Sequence, residues 1–240
     1  MSIVGNLSDI QAVILAGGKG TRLQSVIADR PKVLAQINGR PFLDYQLAYL
    51  SSFGARRALL CTGYMGSLVR QTIGGSRHGV EIAYSQEDEP LDTAGAVRLA
   101  LPCLSSDPVL VMNGDSFFRT DLAAFYRSHC DAGAQGSLLL TEVDNCERYG
   151  SVCLDEQGRV TSFREKSSVA GQGLISAGVY LLSIQMLQSI APGRPVSIER
   201  EFFPQWIGRG LYGFVGQGVF IDIGTPETYE LAGSFFADDR

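Results

Sequence analysis

Residues 15–23 read Leu-Ala-Gly-Gly-Lys-Gly-Thr-Arg-Leu and form a glycine-rich segment near the start of the chain. An apolar run at residues 12–16 leads into it and predicts a strand. Gly17, Gly18 and Gly20 carry no side chains, so backbone N–H groups in this loop can approach a phosphate or a base closely. A strand that ends in such a loop indicates a phosphate or nucleotide site, although a simple tight turn has the same glycine content.

Two common phosphate-binding motifs do not fit this loop. A Walker loop requires Gly-Lys followed by Ser or Thr, and here Gly20 follows Lys19. A dinucleotide-binding fingerprint requires a third small residue three places after Gly20, where this chain has Leu23. The loop therefore belongs to a different kind of phosphate site or to none.

Two cations follow the glycines. Arg22 presents a planar fork of donors that suits phosphate oxygens, and Lys32 follows Pro31, whose ring fixes the backbone. Either cation alone fits a solvated surface equally well. Together, beside a glycine loop, they favour a phosphate site.

Short apolar runs and amphipathic runs alternate through the first half of the chain. Strands are predicted at residues 12–16, 57–62, 80–84 and 108–112, and helices at 41–53, 66–71, 93–101 and 121–130. The second half is richer in strands, at 137–143, 150–154, 160–164, 174–182 and 214–221, with a hairpin turn at 155–158 and helices at 197–207 and from 225 onward. This order predicts an α/β fold with a mostly parallel sheet covered on both faces.

The bulk composition excludes several classes of protein. A formal net charge of −5 argues against a general nucleic-acid binder, whose surface would be basic. Five cysteines without a C-x-x-C pair indicate reduced thiols in the cytoplasm, and two histidines make a zinc site of the His/Cys type improbable. We expect no signal peptide and no membrane span.

Two aspartates lie at predicted strand ends. Asp115 follows the apolar run at 109–112, and Asp222 follows the apolar run at 219–221. Ligands of open α/β sheets bind at the carboxyl ends of strands, and Mg²⁺ prefers one or two carboxylates plus waters and phosphates. Each aspartate alone is also compatible with a structural role in capping a loop.

The ordered motifs resemble the signature of the sugar nucleotidyltransferase superfamily. The resemblance starts with the glycine loop and the Pro-Lys-Val-Leu that follows it, and it extends across nearly the whole chain. The later motifs are Gly63-Tyr64, Leu91-Asp92-Thr93-Ala94-Gly95-Ala96, Asn113-Gly114-Asp115-Ser116-Phe117-Phe118, Arg148-Tyr149-Gly150, Glu165-Lys166, Ser176-Ala177-Gly178-Val179-Tyr180 and Phe220-Ile221-Asp222-Ile223-Gly224-Thr225-Pro226.

The resemblance implies a Rossmann-like, GT-A-type three-layer α/β/α domain with a mostly parallel mixed sheet and no C-terminal β-helix. One domain, residues 1–240, would comprise a nucleotide-binding half (about 10–135) and a sugar-phosphate-binding half (about 136–240). The implied reaction is Mg²⁺-dependent transfer of a nucleoside monophosphate to a sugar 1-phosphate, with release of pyrophosphate. Within the superfamily the likeness is greatest to D-glycero-α-D-manno-heptose-1-phosphate guanylyltransferases, which implies GTP and a role in surface polysaccharide synthesis. Family members often self-associate, so a homo-oligomer is compatible with the resemblance.

The resemblance also implies roles for individual residues. Arg22, Lys32 and Lys166 would act on the phosphates, and Asp115 and Asp222 would hold Mg²⁺. The nucleotide would contact Leu15, Ala16, Gly17, Gly18, Gly20, Thr21, Gln86, Gly95 and Asn113. The sugar phosphate would contact Gly150, Glu165, Lys166, Ala177 and Gly178. Gln86 is equally compatible with a surface glutamine, and Glu165 with an ion pair to Arg164 or Lys166.

Alternatives remain open. Asp92 and Val33 replace the glycine and proline that the family often has, so a mannose-1-phosphate guanylyltransferase or another hexose-1-phosphate nucleotidyltransferase also fits. A GT-A glycosyltransferase would usually show an Asp-x-Asp motif, whereas residues 113–115 read Asn-Gly-Asp. A non-catalytic sensor would have lost some of the phosphate cations or metal carboxylates.

Overall fold

The computed structural model describes residues 6–23, 26–164 and 171–237, and in these ranges the chain forms fourteen strands and six α-helices. The strands are β1 (Gln11–Ala16), β2 (Gln36–Ile37), β3 (Arg40–Pro41), β4 (Arg57–Thr62), β5 (Ser76–Arg77), β6 (Val80–Gln86), β7 (Val109–Asn113), β8 (Ser116–Arg119), β9 (Gly136–Val143), β10 (Ser151–Leu154), β11 (Val160–Arg164), β12 (Gly173–Leu182), β13 (Leu211–Val215) and β14 (Val219–Asp222). The helices are α1 (Phe42–Ser52), α2 (Gly66–Ile73), α3 (Asp92–Ala100), α4 (Leu122–Asp131), α5 (Ile184–Gln188) and α6 (Pro226–Phe235).

The main sheet has eight strands in the order β13-β9-β12-β7-β1-β4-β6-β5. Strands β7, β1, β4 and β6 run parallel, β13 runs parallel to β9, and β12 is antiparallel to both of its neighbours. The predicted mixed, mostly parallel sheet is therefore confirmed. Strands from both predicted halves of the chain share this one sheet.

Both faces of the sheet are covered, which explains why its central strands are apolar without alternation. Ile14 and Leu60 face one core, where side chains of α1, α2 and α4 pack. Val13 and Leu59 face the other core, against α3, α5 and residues 198–203. The arrangement has the three α/β/α layers that were predicted.

A smaller antiparallel pair, β8 and β14, lies beside the main sheet and was not predicted as a pair. Phe117 and Ile221 pack from this pair into a third cluster with Phe236, which follows α6. The rings of Tyr45 and Phe236 stack at a centroid distance of 4.1 Å, so α6 is fastened to α1. The pairing sets Asp222 directly opposite Ser116, next to Asp115 in the chain.

Most predicted elements are found within two or three residues of their predicted ends. The helix predicted at 41–53 is α1, and the one predicted from residue 225 is α6, whose Thr225 and Thr228 form a reciprocal capping box. The hairpin turn at 155–158 joins β10 and β11. No helix in the described ranges is long and apolar enough to cross a bilayer.

Two predicted elements are wrong in form. The helix predicted at 197–207 is a π-helical turn (Ile198–Phe202) followed by a 3₁₀ turn (Phe203–Trp206), because Pro204 has no N–H to continue an α-helical ladder. The strand predicted at 214–221 is divided between β13 and β14, which belong to different sheets. Gly218 makes this division with φ +154°, and a Cβ there would lie 1.8 Å from the Arg119 carbonyl oxygen.

Candidate active site

A cleft of about 940 Å³ opens at the carboxyl ends of the parallel strands. Its walls are the glycine loop after β1, the loops after β4 and β6, the N-terminal turn of α3 and the turn after β7. A second cavity of about 150 Å³ adjoins it on the side of β12, and the two share Arg22, Asn113, Asp115 and Gly224. The combined space can hold two substrates whose reactive ends meet near these shared residues.

The glycine loop lies directly on the cleft. Gly17, Gly18, Gly20 and Thr21 all line it. Gly20 has φ +60°, a conformation that favours glycine, and a Cβ there would lie 3.1 Å from the Lys32 Cβ. The loop thus leaves backbone exposed to a ligand.

The two predicted nucleotide contacts in β1 differ in position. Leu15 lines the cleft, whereas Ala16 is buried in the core. The alternating pleat of the strand explains why neighbouring side chains point to opposite faces.

Lys32 and Asp115 form an ion pair inside the cleft. The Lys32 Nζ lies 2.8 Å from Asp115 Oδ2, and the lysine side chain is 10% exposed whereas that of Asp115 is 46% exposed. Pro31, with φ −68° and ψ 151°, starts the 3₁₀ turn Lys32–Leu34 that aims this lysine inward. A largely buried ammonium therefore faces the junction of the two cavities.

Asp222 reaches the same junction from β14. Its Oδ1 accepts a 2.8 Å hydrogen bond from the Gly224 N–H and lies 3.7 Å from Arg148 Nη2, while Oδ2 accepts from the Tyr149 hydroxyl. The Ile223 N–H donates to the Asp115 carbonyl oxygen at 2.9 Å, which ties the two aspartate loops together. Arg22, Asp115 and Asp222 all line the smaller cavity.

The donor set at this junction fits Mg²⁺. Asp115 and Asp222 supply carboxylate oxygens, and no group of three His, Cys, Asp or Glu residues with metal-binding geometry occurs in the described part of the chain. An ion held here must take its other ligands from water or from substrate phosphates, which is the pattern Mg²⁺ favours. Burial raises the pKa of the Tyr149 hydroxyl to about 12, and the bond to Asp222 acts in the same direction, so Tyr149 remains a donor.

The smaller cavity is shaped by a bulge in β12. The pairing of β12 with β9 passes from Ser176 opposite Leu140 to Val179 opposite Leu139, so Ala177 and Gly178 are the inserted residues. Both line the smaller cavity, and the sugar contact predicted for them stays a prediction. Gly178 has φ +73°, and a Cβ there would lie 2.6 Å from Asn113 Nδ2 and from Ser116 Oγ.

A carboxylate that sequence reasoning missed also faces this cavity. Glu199, in the π-helical turn, lines it and accepts a 2.7 Å hydrogen bond from the buried Tyr180 hydroxyl. Burial raises the pKa of Tyr180 well above its ordinary value, so this phenol stays a donor at neutral pH. The sequence predicted only a helix at 197–207, and nothing local indicated where the Glu199 side chain points.

Several predicted contacts lie elsewhere. Gly95 is buried and does not line the cleft. A Cβ there would lie 2.8 Å from the Arg194 carbonyl oxygen, so the missing side chain makes room for the backbone at residue 194 and not for a ligand. Gly150, with φ +77°, precedes β10 beside the cavity-lining Tyr149 and is not itself a lining residue. The predicted sugar residues Glu165 and Lys166 lie outside the described residues.

Gln86 lines the cleft, but its amide is already bonded to the chain. Its Oε1 accepts from the Thr62 hydroxyl at 3.0 Å, and its Nε2 donates to the Gly63 carbonyl oxygen at 3.2 Å. The neighbouring Glu87, which was not a predicted site residue, also lines the cleft. The pKa of the Glu87 carboxyl is raised from its ordinary value. Partial burial is the main cause and the nearby Asp92 adds to it, while a hydrogen bond from the Leu91 amide acts in the opposite direction.

Asp92 shows why the family often has glycine at this position. It has φ +55°, a left-handed conformation that disfavours most side chains but that aspartate tolerates. Its Oδ1 accepts from the Thr93 N–H at 2.7 Å, and its Oδ2 lies 3.3 Å from Arg200 Nη2. Local hydrogen bonds at the edge of the cleft therefore stabilise an aspartate at this position in place of glycine.

Comparison with known proteins identifies a family for this chain. The sequence matches the family described as nucleotidyl transferase over residues 11–239. It is 35% identical over 224 residues to D-glycero-alpha-D-manno-heptose 1-phosphate guanylyltransferase of Aneurinibacillus thermoaerophilus, covering 93% of this chain and 96% of the relative. It is 35% identical over 224 residues to mannose-1-phosphate guanylyltransferase of Mycobacterium tuberculosis (strain ATCC 25618 / H37Rv), covering 92% of this chain and 62% of the relative.

A solved structure shares the whole architecture. The crystal structure of HddC from Yersinia pseudotuberculosis complexed with GMP-PN superposes with a TM-score of 0.84 at 34% identity, covering 95% of this chain and 99% of that one. The chain therefore belongs to the nucleotidyl transferase family.

Proposed function

We propose that this protein transfers GMP from GTP to D-glycero-α-D-manno-heptose 1-phosphate with Mg²⁺, and so forms a GDP-heptose and pyrophosphate. The choice of substrates is supported by the heptose 1-phosphate guanylyltransferase and by the HddC structure that holds GMP-PN. The observation that carries the reaction type is the convergence of Arg22, Lys32, Asp115 and Asp222 where the two cavities meet. Provision of precursors for surface polysaccharide is part of the same proposal.

The chemistry follows from charge. Both substrates are anions, and a phosphate monoester with a second pKa of about 6 is already largely dianionic at neutral pH, so the nucleophile needs no general base. Catalysis then consists of alignment and stabilisation of negative charge. Asp115 and Asp222 would hold Mg²⁺, which would supply positive charge beside the phosphates.

Arg22 and Lys32 also stabilise the negative charge of the phosphates. Arg22 binds triphosphate oxygens from the glycine loop, and Lys32 neutralises charge near the α-phosphate. Asp115 keeps the Lys32 ammonium oriented into the junction at 2.8 Å. Asp222 is held by Tyr149 and Gly224, which fixes its carboxylate before substrates bind.

In this proposal each predicted half of the domain binds one of the two substrates. The base and ribose occupy the larger cleft in the half formed by residues 10–135, and the sugar phosphate occupies the smaller cavity in the half formed by residues 136–240. Ala177 and Gly178 approach the sugar, Gly150 supports Tyr149, and Glu165 and Lys166 bind sugar hydroxyls and phosphate. A cytoplasmic location belongs to the same proposal, because all five cysteines are free thiols.

A second candidate is mannose 1-phosphate as the acceptor, because the Mycobacterium tuberculosis relative is equally identical. The chain spans 62% of that relative's length and 96% of the heptose-specific relative's length. A glycosyltransferase would release no pyrophosphate, and a sensor would turn over nothing.

One assay distinguishes these functions. Purified protein is incubated with Mg²⁺, GTP and either heptose 1-phosphate or mannose 1-phosphate, pyrophosphate is measured, and the product is identified by mass spectrometry. We expect a GDP-heptose, with kcat/KM at least ~10-fold higher for the heptose than for mannose. The same assay with ATP, CTP, UTP and dTTP measures selectivity for the base. Preference for mannose 1-phosphate would replace the heptose proposal, and turnover of neither would refute the reaction.

A further inference from the structure

Helix α1 buries one glutamine side chain completely. Leu43, Leu47 and Leu50 of this helix pack into the same core as Ile14, and Gln46, on the turn after Leu43, is 0% exposed. Burial alone favours an apolar residue at such a position, because a buried amide needs partners for two donors and an oxygen. The glutamine therefore calls for an explanation other than packing.

The amide nitrogen of Gln46 reaches the turn that carries Asp115. Its Nε2 donates to the Asn113 carbonyl oxygen at 2.8 Å and to the Ser116 carbonyl oxygen at 2.9 Å. These two carbonyls stand on either side of Gly114 and Asp115 in the chain. One buried amide group thus joins the two ends of the turn between β7 and β8.

The oxygen of the same amide lacks a partner. Gln46 Oε1 is buried and accepts no hydrogen bond from the part of the chain that the structure describes. Rotating the amide by half a turn would set this oxygen against two carbonyl oxygens, so the turn itself fixes the orientation. An unsatisfied buried acceptor destabilises a fold. The two bonds donated to the turn, and not packing, therefore account for a glutamine here.

Other bonds fasten the same turn to β1, to the loop after β14 and to the bulge of β12. The three bonds run from the Gly114 N–H to the Leu15 carbonyl oxygen at 3.0 Å, from the Ile223 N–H to the Asp115 carbonyl oxygen at 2.9 Å, and from Ser116 Oγ to the Ala177 carbonyl oxygen at 3.2 Å. Each of these segments contributes residues to the walls of the two cavities, whereas α1, which is described in full, lines neither. Gln46 therefore supports the turn from a helix that lies outside both cavities.

We infer that Gln46 is a positioning residue, which holds the turn at 113–116 so that Asp115 keeps its place beside Lys32 and as a ligand for Mg²⁺. The inference rests on the proposed function and adds to it a residue outside the predicted site. The Asp115 side chain is 46% exposed, so its position depends on the backbone turn that carries it. Groups that orient a metal ligand affect metal affinity although they do not touch the metal.

A glutamine that only fills space predicts a different result from the same substitution. Gln46→Met keeps the length of the side chain and removes both the donors and the unsatisfied acceptor. In a space-filling role this variant leaves the turn unchanged. In the positioning role it leaves the Asn113 and Ser116 carbonyls without the amide, and the turn opens more often.

The test compares the unsubstituted protein, Gln46→Met and the matched control Gln11→Met. Gln11 is also buried, at 4% exposed, and its amide bonds to Cys103 and Ser105. It lies at the amino end of β1, whereas the cleft opens at the carboxyl end. A general loss of stability from removing a buried amide is therefore present in both variants. Gln46→Asn, shorter by one methylene, is a second variant that keeps an amide.

Two readouts are measured. Hydrogen exchange followed by mass spectrometry on metal-free protein reports opening of the turn, from a peptide that covers residues 113–118, with β4 as the internal reference. Pyrophosphate release over a range of Mg²⁺ concentrations gives the half-saturating concentration. We expect Gln46→Met to exchange at least ~10-fold faster at 113–118 relative to β4, and to require at least ~10-fold more Mg²⁺. Gln46→Asn should shift both readouts in the same direction, and Gln11→Met should shift neither.

Equal exchange and equal Mg²⁺ requirement in Gln46→Met and Gln11→Met overturn the inference, while turnover still supports the proposed function. Gln46→Asn decides in the same way if the methionine variant does not fold. A change in one readout alone also overturns the inference, because positioning of Asp115 requires the two to change together. Absence of turnover in the unsubstituted protein refutes the proposed function itself, and the inference with it.

Discussion

The ammonium of Lys32 and the carboxylate of Asp115 are each other's counter-ions, with Nζ 2.8 Å from Oδ2. The proposed mechanism assigns one of them to a phosphate and the other to Mg²⁺. In that mechanism substrate binding would exchange this pair for two others, Lys32 with phosphate and Asp115 with the metal. The exchange costs little net charge separation, because a cation and an anion enter together.

Asp115→Asn tests the metal carboxylate. We expect a folded protein whose Mg²⁺-dependent kcat/KM falls at least ~100-fold, because an amide is a weaker ligand for a hard cation. Stability should fall by roughly 1–3 kcal/mol, because the largely buried Lys32 ammonium loses its counter-ion although Asp115 itself is 46% exposed. Pyrophosphate release over a range of Mg²⁺ concentrations measures the effect, and Asp131→Asn on α4 is the charge-matched control. Unchanged Mg²⁺ dependence in Asp115→Asn would remove this residue from the metal site, and Asp222→Asn repeats the test on β14.

Arg22→Ala tests the phosphate cation of the glycine loop. Loss of one charge-assisted contact to a transition-state phosphate should cost at least ~2 kcal/mol, or about 30-fold in kcat/KM. Arg22→Lys should recover only part of the loss, because lysine lacks the forked donors. Arg127→Ala on α4 removes an exposed cation and should leave the rate unchanged. An Arg22→Ala enzyme with the original rate would show that this arginine does not touch the reacting phosphates.

Glu199→Gln and Tyr180→Phe test the sugar-side carboxylate. The Tyr180 hydroxyl donates to Glu199 at 2.7 Å, so removing that hydroxyl leaves Glu199 in place without its orienting bond. We expect the KM for the sugar 1-phosphate to rise about 10-fold in Glu199→Gln and less in Tyr180→Phe, with the KM for GTP unchanged. Initial-rate kinetics with each substrate varied in turn measure both constants. Equal rises in the two KM values would indicate general damage to the fold instead.

The backbone at Asp92 predicts an unusual order of stabilities. Asp92→Gly removes the left-handed strain at φ +55° together with the exposed pair to Arg200, whereas Asp92→Ala keeps the strain and loses the hydrogen bonds. The glycine variant should therefore be more stable than the alanine variant by ~1 kcal/mol. Urea unfolding measures the difference, and an alanine variant as stable as the glycine variant would contradict it.

His129 makes the stability of the fold depend on pH. It is buried on α4 with Nδ1 2.8 Å from Ser137 Oγ, and burial lowers its pKa from 6.5 to about 4, with Asp107 acting in the opposite direction. The folded state therefore binds fewer protons than the unfolded chain between these values. The neutral His129 therefore contributes fully to the free energy of unfolding above about pH 6.5. This contribution, ~3 kcal/mol at most, is lost as the pH falls toward 4.

Urea unfolding between pH 4.5 and pH 7.5 measures this dependence. His129→Gln removes the titrating group, so its stability should fall less over the same interval. Parallel curves for the two proteins would show that other groups cause the pH dependence.

Much of the fold could be predicted because local signals and tertiary structure agree in the first half of the chain. The run at 57–62 is apolar and bounded by turn residues, and it is β4 with the same ends. The prediction failed at 197–207 and 214–221, where distant groups decide the backbone. The Arg119 carbonyl oxygen leaves no room for a Cβ at residue 218, and no property of the residues near Gly218 reveals that contact.

The same distinction holds in the candidate site. Arg22 and Lys32 could be chosen from sequence because glycines and proline beside them are local signals. Gly95 was assigned to the nucleotide because its motif suggested close approach, but the approaching group is the Arg194 carbonyl. Glu87 and Glu199 could not be chosen, because their importance depends on which loops face them.

Periodicity and neighbouring residues specify the alternation of strands and helices, the glycine loop and the charges that a phosphate site requires. Tertiary packing, in contrast, pairs β14 with β8 and so brings Asp222 beside Asp115, and it places Glu87 between Gly17 and Gly63. These contacts join segments far apart in the chain. They arise when buried apolar faces pack together, and many pairings of such faces satisfy the same local pattern.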